Sequence, residues 1–419
     1  MITSLLDFLN ASPVSFLAVR QIATALDRAG YRCVDPSQLV GPLKAGDKLY
    51  VTKNDSSIYA FQMGRKPLAD AGFHLLCAHC DSPTFRIKPN AVMEQEGYIK
   101  LNTEIYGGMI RYSWLDRPLS FAGRITYKKD GRYEKKTISI DKDLLVIPSL
   151  AVHMHREVND SAVFNPQKDL LPLMMLSDKK ESLLDYLKEE TGEDVIDYDL
   201  YVYNRDIPKY IGANNEFILS PRIDNLGCAF TSLKAFLNSA NENAVRVYVC
   251  FNNEETGSCT MEAADSTFLS DVLERVSEAF SKDVRQLLAA SYLISADNGH
   301  ALHPNYPEKC DPTNRPKVNG GLLIKRHENY TTDGFSAGVL KDILNQAGVK
   351  YQEFAARSDM RNGSTLGKIS LSHVSVPSVD IGMAQLAMHS ANELCGAKDI
   401  DTMIEGMKSF YGADICFSL

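Results

Sequence analysis

Apolar residues in the chain follow two spacings, one typical of helices and one typical of strands. Near the N-terminus they recur at intervals of three or four residues, at Phe16, Val19, Ile22, Leu26 and Ala29. This spacing predicts a helix that ends at Gly30, with Ser12 as its N-cap and Pro13 in its first turn. Short apolar runs then predict buried strands at 47–52, 57–63 and 73–79.

Beyond residue 216, predicted strands and helices alternate. The strands are Val245–Phe251, Tyr292–Ala296, 320–326, 350–356 and 376–382, and the helices follow Asp224 and occupy 261–289, 336–347 and 399–412. Such alternation is typical of an α/β domain.

The pattern is different between residues 90 and 215. Ile99–Ile105 and Leu119–Ile140 are rich in β-branched and aromatic residues, and Asp130-Gly131 predicts a hairpin turn. We therefore predict one discontinuous α/β domain, residues 1–90 and 216–419, with a β-rich domain inserted at 91–215.

Charge and composition exclude several function classes. The 419 residues carry a formal net charge of −8, which gives no basic face for nucleic acid and no polybasic membrane anchor. No apolar run reaches the roughly 18 residues of a membrane span, and the first residues lack the pattern of a signal peptide. The nine cysteines, odd in number and scattered, favour reduced thiols and a cytoplasmic location.

One cysteine pair has two interpretations. Cys77 and Cys80 form a CxxC, which is typical of redox and zinc motifs. No second CxxC follows, however, and Cys77 lies in a predicted apolar strand. We therefore favour two thiols that pack in the core or beside the site.

Ionisable residues stand at the ends of the predicted strands, where the ligand crevice of an open α/β sheet lies. These residues are His79, Glu254, Glu255 and Asp297, and Asp224 and His389 complete the candidate set. Two imidazoles with three or four carboxylates suit a pair of zinc-class ions. Each residue alone also has an ordinary explanation, such as a helix cap for the aspartates, a solvated turn for the glutamates or a core position for the histidines.

A count of charges indicates which carboxylates of this set would bind the metals. Asp224, Glu255 and Asp297 would neutralise three of the four charges of two dications, and a bridging hydroxide would neutralise the fourth. Glu254 is then not needed as a ligand, so it is available as a general base.

Several ordered segments resemble the aspartyl aminopeptidase family of dinuclear zinc metallopeptidases, over nearly the full length of the chain. The segments are Ala78–Pro83, Tyr106–Gly108, Trp114–Arg117, Ser220–Leu226, Asn253–Ser258, Ser295–Asp297 with His300 and His303–Tyr306, and Gln385–Ser390. The resemblance implies a central mixed sheet flanked by helices, as in zinc aminopeptidases, with an inserted β-rich domain that mediates dimerisation.

The resemblance also implies two zinc ions per subunit, with cobalt or manganese as alternatives. One ion would be held by His79, Asp224 and Asp297, and the other by Asp224, Glu255 and His389. Glu254 would be the general base for a water activated by both metals, and Asp81 would orient His79. In related dinuclear peptidases the peptide bond after the bridging aspartate is cis, so the same is expected of Asp224-Asn225.

Four further positions follow from the same resemblance. His153 matches a histidine that reaches the neighbouring subunit's site, although His155 is an alternative match. Lys325 matches a lysine suited to the substrate's side-chain carboxylate, but it could also be a surface lysine at a strand end. His300 and Tyr330 lie in nearby segments of the family. The chain departs from many relatives at Asn298-Gly299, where they carry a hydrophobic residue after the metal-binding aspartate.

The function implied by the resemblance is a metal-dependent aminopeptidase that hydrolyses N-terminal Asp or Glu from peptides, in homodimers that assemble into a larger tetrahedral homo-oligomer. The alternatives are an aminopeptidase of the same clan with neutral or broad specificity, a dinuclear amidohydrolase or phosphoesterase, and a non-catalytic assembled shell. The sequence shows no arginine cluster for phosphate, and a base at Glu254 beside Glu255 argues against the non-catalytic shell.

Overall fold

The computed structural model describes residues 4–36, 43–64, 72–177, 182–360, 363 and 365–417. In this part of the chain the helices, α1 to α9 in order, are Leu5–Ala11, Ser15–Arg28, Leu183–Thr191, Ile223–Leu237, Phe268–Ala279, Val284–Ala289, Gly334–Gln346, Leu366–Ser370 and Asp399–Gly412. The strands, β1 to β20 in order, are Arg32–Cys33, Lys48–Lys53, Ser57–Gln62, Phe73–His79, Thr84–Gln95, Tyr98–Tyr106, Leu119–Lys129, Arg132–Ser139, Leu173–Leu176, Val195–Asn204, Lys209–Ile211, Phe217–Ser220, Val245–Phe251, Tyr292–Ala296, Gly299–His300, Leu322–Arg326, Tyr351–Ala355, Ser378–Gly382, Ala384–Leu386 and Glu393–Gly396. Short 3₁₀ turns lie at Arg111–Trp114, Val152–Met154, Arg156–Asn159, Glu254–Thr256 and Pro307–Lys309.

The chain divides into two compact units. The first comprises Met1–Asp81, Pro208–Met388 and Glu393–Leu419, and the second comprises Ser82–Ile207 and His389–Asn392. The predicted insert, residues 91–215, overlaps the second unit, whose own bounds lie earlier at both ends. Among the helices that the structure describes, none has both the length and the apolar character that a membrane crossing requires.

A nine-stranded mixed sheet organises the first unit. Its strand order is β1-β2-β3-β13-β4-β14-β18-β16-β17. The strands β13, β4, β14 and β18 run parallel, whereas β18 pairs with β16 in the antiparallel sense. These four parallel strands are buried along their whole length, which explains why most of their residues are apolar. The predicted fold class is confirmed.

Both faces of this sheet carry a hydrophobic core. Side chains of successive strand residues point to opposite faces, so Leu76 and Ala78 join the core that contains α2, α4 and α9. Leu75 and Cys77 join the core that contains α5 on the other face. A second, five-stranded sheet of the first unit has the order β11-β12-β20-β19-β15.

The parallel arrangement aligns the strand ends that carry the candidate residues. In β13 and β4, Phe251 pairs with His79, and in β14 and β4, Ser295 pairs with Cys77. The segments that follow β13 and β14, which hold Glu254 and Asp297, therefore begin at the same edge of the sheet as His79.

The predicted N-terminal cap is wrong. Helix α2 begins at Ser15 with Val14 as its N-cap, and Ser12 is instead the C-cap of the preceding helix α1. The sequence reading missed α1, which covers only seven residues and is held by a capping box between Ser4 and Asp7. Gly30 closes α2 at a φ of 80°, as its position predicted.

The other predicted elements form, with one correction. The predicted strands of the first unit all lie within two residues of their observed ends. The helix predicted at 261–289 is wrong as a single element, because residues 261–267 form turns and bends and because the chain breaks between α5 and α6. Ser281 has a φ of 55° there, and Asp283 caps α6 by accepting a hydrogen bond from the Arg285 N–H.

An antiparallel sheet of six strands forms the second unit, in the order β8-β7-β10-β5-β6-β9. The hairpin predicted at Asp130-Gly131 joins β7 to β8, and its two residues have φ values of 49° and 79°. Positive φ at both central residues is the requirement of a two-residue type I′ turn. The core of this unit includes Phe85, Trp114 and Phe121.

Candidate metal centre

His79, the last residue of β4, lies at the centre of the candidate site and is 1% exposed. Its Nδ1 lies 3.2 Å from the backbone oxygen of Asp81 and 3.3 Å from Asp81 Oδ1. Both oxygens are acceptors, so Nδ1 donates to them, and Nε2 is the nitrogen that would bind a metal. Nε2 lies 3.8 Å from Asp224 Oδ1 and 3.6 Å from Asp297 Oδ1.

The two aspartates are placed by buried contacts of their own. Asp224 lies in the first turn of α4 with a non-helical ψ of 109°, and its N–H donates to Glu393 Oε2 over 2.8 Å. The peptide bond Asp224-Asn225 is cis, as expected from the resemblance. Asp297 follows β14, and its backbone approaches β18 so closely that a Cβ at Gly382 would lie 2.1 Å from its carbonyl oxygen. Only glycine permits this approach.

The spacing of these donors fits a zinc ion. The ligand atoms of His79, Asp224 and Asp297 all lie within 4.8 Å of one another. Zinc bound tetrahedrally at about 2.0–2.2 Å holds its ligand atoms about 3.3–3.6 Å apart. The two distances from Nε2, 3.6 and 3.8 Å, lie at the upper end of that range and slightly above it.

One carboxylate, that of Asp81, fixes both His79 and the turn that carries the two glutamates. Asp81 Oδ1 accepts the N–H of Glu254 over 3.2 Å, and Oδ2 accepts the N–H of Glu255 over 3.1 Å. The turn is bounded by left-handed residues, Asn253 at a φ of 59° and Gly257 at 98°. Glu254 Oε2 lies 3.9 Å from His79 Nε2. These contacts are the ones that the predicted roles of Asp81 and Glu254 require; the roles themselves stay predictions.

Buried charges of opposite sign perturb one another in this cluster. Burial alone would lower the pKa of His79, but hydrogen bonds to Asp297 and Asp81 hold that pKa well above its usual value. Burial would raise the pKa of Asp297, but Lys325 and His79 hold it below its usual range. Burial, with Asp297 and Glu255 nearby, raises the pKa of Glu254. So many carboxylates in a buried site favour a bound cation.

Lys325 is not a surface lysine, because its side chain is 1% exposed. Its Nζ donates to the backbone oxygen of Asn298 over 3.0 Å and lies 3.5 Å from Asp297 Oδ2. The ring of Tyr330 covers Nζ, with 5.0 Å between Nζ and the ring centroid. Burial alone would lower the pKa of Lys325, but Asp297 holds it above its usual value.

Phe354 connects Lys325's neighbour Tyr330 to His300. Its ring centroid lies 6.5 Å from that of Tyr330 and 6.3 Å from that of His300. His300 and Phe354 line a cavity of about 280 Å³ together with His303, Tyr306, Lys309 and Arg357, among others. The structure thus brings together the three predicted substrate-binding residues, Lys325, Tyr330 and His300.

The departure from the family pattern at Asn298-Gly299 has a structural explanation. A Cβ at Gly299 would lie 2.6 Å from Leu323 Cδ2 and 3.2 Å from Lys325 Cδ, so glycine leaves room for the lysine stem. The Asn298 side chain donates to the backbone oxygen of Ile223 over 3.0 Å and to Gln385 Oε1 over 2.7 Å. It therefore ties the end of β14 to α4 and β19.

The two remaining histidines belong to the second unit. His389 has a φ of 67°, and its Nδ1 lies 2.8 Å from the backbone oxygen of Gly108, so Nδ1 is the protonated nitrogen. His153 is exposed in the turn Val152–Met154, whereas the alternative match His155 is half-buried. Their predicted roles toward the metals and the partner subunit stay predictions.

Cys77 and Cys80 are both free thiols in the core, as we favoured. The two thiols lie in the cores of opposite sheet faces, which does not suit a redox or chelating pair. Cys80 Sγ donates to the backbone oxygens of Ser56 and Phe251 over 3.4 and 3.2 Å.

The sequence reading missed Glu393 and Phe354. Glu393 supports Asp224 from 169 residues away, and Phe354 is the one buried residue of the short, mixed-polarity strand β17. No local pattern distinguishes either residue, because their partners are distant in the chain.

Comparison with known proteins identifies relatives over nearly the whole chain. The family described as "Aminopeptidase I zinc metalloprotease (M18)" matches residues 8–411. The "Probable M18 family aminopeptidase 2" of Clostridium novyi (strain NT) is 43% identical over 97% of this chain and 97% of its own. The structure titled "Cryo-EM structure of the Ape4 and Nbr1 complex" superposes with a TM-score of 0.91 at 33% identity, covering 97% of this chain and 84% of that one. The "Structure of S. cerevesiae mApe1 dodecamer" superposes with a TM-score of 0.84 at 25% identity, covering 97% and 95%.

Proposed function

Because the chain belongs to the M18 family of zinc metalloprotease aminopeptidases, we propose that it removes acidic residues from peptide N-termini at a centre of two zinc ions. The enzyme class, a metalloaminopeptidase, follows from the family. The number of ions and the preference for Asp and Glu are the proposal. The observation that carries it is the buried cluster of His79, Asp224 and Asp297, together with the buried ammonium group of Lys325 beside Asp297.

The residues divide between holding metal and moving protons. His79, Asp224 and Asp297 would hold one ion, and Asp224, Glu255 and His389 would hold the other. When bound, zinc acts as a Lewis acid and lowers the pKa of a water molecule that it holds toward 7. Glu254 would accept the proton of the attacking water and deliver it to the departing amine. Cobalt or manganese are alternatives to zinc, because the donors suit several divalent ions.

Lys325 supports the preference for acidic substrates. An ammonium has three N–H donors, and two of them point to Asn298 and Asp297. The third N–H would donate to the side-chain carboxylate of the substrate, and Tyr330 and His300 would lie beside that carboxylate. A hydrogen bond between charged groups contributes about 1.5–3 kcal/mol.

The burial of the same lysine supports a second candidate function. If Lys325 only balances the charge of Asp297 and does not contact the substrate, the enzyme would be an M18 aminopeptidase of neutral or broad specificity. The cavity beside His300, which also has apolar walls such as Phe354 and Met360, would then accept uncharged side chains.

A homo-oligomer is supported by the second unit. In the segment 150–163, which contains His153, large apolar side chains are exposed, namely Leu150, Val152, Met154 and Val163, at 57%, 49%, 72% and 86%. We propose that this surface pairs with a second copy, that His153 reaches the partner's site, and that the dimers form a tetrahedral assembly. The dodecamer among the similar structures is consistent with such an assembly. The cytoplasmic location stays a prediction.

The test is a panel of chromogenic substrates with N-terminal Asp, Glu, Ala or Leu, assayed with and without a chelator alongside metal counting. We expect two zinc ions per chain, faster cleavage of Asp and Glu, and full loss of activity on chelation. Preferred cleavage of the leucyl substrate would support the second candidate. A metal-loaded protein that cleaves none of the four would indicate the non-catalytic shell.

A further inference from the structure

A buried carboxylate that the proposed mechanism does not use lies one strand away from Lys325. Asp380, in β18, is fully buried. Its Oδ2 accepts the N–H of Thr331 over 2.6 Å and the Thr331 hydroxyl over 2.7 Å, and its Oδ1 accepts the Thr365 hydroxyl over 2.6 Å. The backbone N–H of Asp380 donates to the hydroxyl of Thr332 over 2.8 Å. Short bonds to an ionised acceptor are among the stronger hydrogen bonds of a protein.

These bonds hold one connecting loop. Residues 327–332 join β16 to α7, whose N-cap is Asp333. Asp380 holds the loop at Thr331 and Thr332, whereas the start of the loop turns through a hydrogen bond from the Tyr330 N–H to the His327 oxygen over 3.0 Å. The loop is therefore fixed to the sheet immediately after Tyr330.

The position of this loop determines the surroundings of Lys325. In the antiparallel pair of β16 and β18, Lys325 lies opposite Asp380. Tyr330, the residue before the anchored Thr331, places its ring over Lys325 Nζ and near Phe354. A shift of the loop would move that ring away from the ammonium, because the two are joined only by a nonbonded contact.

We propose that Asp380 is a positioning residue for substrate selection: by anchoring Thr331 it holds Tyr330 over Lys325 and so sets which side chain the enzyme accepts at the substrate's N-terminus. The proposal rests on the proposed function in one respect, that Lys325 and Tyr330 meet the substrate side chain. It concerns neither the metal ligands nor the base.

Asp399 provides a matched control, because it anchors the turn at the other end of β16. Asp399 is buried too and accepts the N–H groups of Asn319 and Gly321 over 2.6 and 2.9 Å, in the turn that precedes β16. Asp380→Asn and Asp399→Asn thus make the same chemical change to buried anchors at opposite ends of β16. Only the first should affect the loop that carries Tyr330.

The first measurement is hydrogen exchange of the zinc-loaded enzyme, followed by mass spectrometry. In Asp380→Asn, exchange in a peptide that covers 327–333 should accelerate at least about tenfold, because a charge-assisted bond is lost. In Asp399→Asn the acceleration should appear at 319–321 and not at 327–333. Unchanged exchange at 327–333 in Asp380→Asn would overturn the proposal.

The second measurement is the ratio of kcat/KM for aspartyl and leucyl chromogenic substrates. Asp380→Asn should lower this ratio at least about tenfold, mainly through KM for the aspartyl substrate, with zinc content unchanged. Thr331→Val should lower it as well, whereas Thr331→Ser, which restores the hydroxyl, should return it toward wild type. These two variants decide the question if Asp380→Asn does not fold.

The outcomes separate this proposal from the proposed function. If wild type prefers the leucyl substrate, acidic specificity is wrong, and the positioning role is then judged by KM for the leucyl substrate in the same variants. Faster exchange at 327–333 with unchanged KM for the preferred substrate would show an anchor without influence on selection. An equal loss of kcat on every substrate would also contradict the proposal, because it would point to the metal centre.

Discussion

The cluster of candidate metal ligands in the first unit and the segment around His153 in the second unit differ in which side chains are buried. At the cluster, buried carboxylates meet N–H groups and imidazoles, as Asp81 does with His79 and the turn of Glu254. In the segment 150–163, which contains His153, large apolar side chains such as Met154 and Val163 face solvent. Exposed apolar side chains of this kind commonly mark an interface. The difference is that contacts within one chain fix the geometry of the cluster, whereas the apolar side chains of the segment would be buried only by the partner proposed above.

The largest expected effect comes from replacing one carboxylate oxygen of the candidate general base, Glu254. Glu254→Gln keeps the size of the side chain but removes its ability to accept a proton. We expect zinc content to be retained and kcat to fall by about 10²–10⁴, the contribution of general acid–base catalysis. Glu255→Gln, one residue away, should instead lower zinc content, and Glu274→Gln, at an exposed position of α5, should change neither. Near-full turnover by zinc-loaded Glu254→Gln would remove this residue from the mechanism.

The second prediction tests whether the exposed surface completes a partner's site. His153→Ala and Glu254→Gln proteins should each be nearly inactive, because each lacks one required group. When they are dissociated, mixed in equal amounts and reassembled, about a quarter of the sites should combine an intact base with an intact His153 from the partner, as random pairing in a symmetric dimer implies. Recovered activity should approach that fraction of wild type.

The control for this mixing experiment is mass analysis that shows hybrid oligomers. With hybrids present, no recovery at any mixing ratio would mean that His153 acts within its own chain or not at all. The same experiment with His155→Ala in place of His153→Ala distinguishes the two candidate histidines, which lie two positions apart.

The third prediction compares two functions of one buried residue. Lys325→Met removes the ammonium and keeps the apolar stem. If Lys325 meets the substrate, aspartyl substrates should lose roughly 10- to 150-fold in kcat/KM while leucyl substrates change little. If Lys325 only balances the charge of Asp297, cleavage of every substrate should become slower, and zinc should be released at lower chelator concentration. Lys341→Met, which breaks an ion pair with Glu353 away from the cluster, is the control.

How much of the structure the sequence predicts depends on whether a feature is determined by neighbouring residues or by residues distant in the chain. Buried parallel strands such as β4 and β13 are mostly apolar, so their bounds were predictable, and so were the candidate residues at their ends. The cap at Ser12 was wrong because Ser-Pro fits a helix start and a helix end equally well in isolation. The anchors Asp380 and Glu393 were not predictable, since their partners lie tens to hundreds of residues away and an aspartate in an apolar strand has no pattern of its own.

The smallest expected effect concerns stability at a buried carboxylate outside the cluster. Burial raises the pKa of Asp399 to about 6, above the value of about 3.9 in an unfolded chain. The folded protein therefore binds more protons between these values, so this group's contribution to stability falls as pH rises through about 4 to 6 and is level above that. Two pKa units correspond to roughly 2–3 kcal/mol.

Urea unfolding of wild type and Asp399→Asn at pH 4, 5, 6 and 7 measures this contribution. The free energy of unfolding of wild type relative to the variant should be greatest at pH 4 and should decrease toward pH 7. Effects of other groups, including loss of zinc in acid, cancel in this difference. A difference that is constant or grows with pH would contradict the assignment.

The shared carboxylate of Asp81 has a consequence for how the site exchanges its metal. Asp81 orders His79 and the N–H groups of Glu254 and Glu255 through bonds within the protein. The conformational entropy of these groups is therefore lost when the chain folds and not when an ion arrives. We expect such a site to release one ion and take up another without local unfolding. The metal that it holds would then depend on the supply of metals around the protein and not on the conditions under which the chain folded.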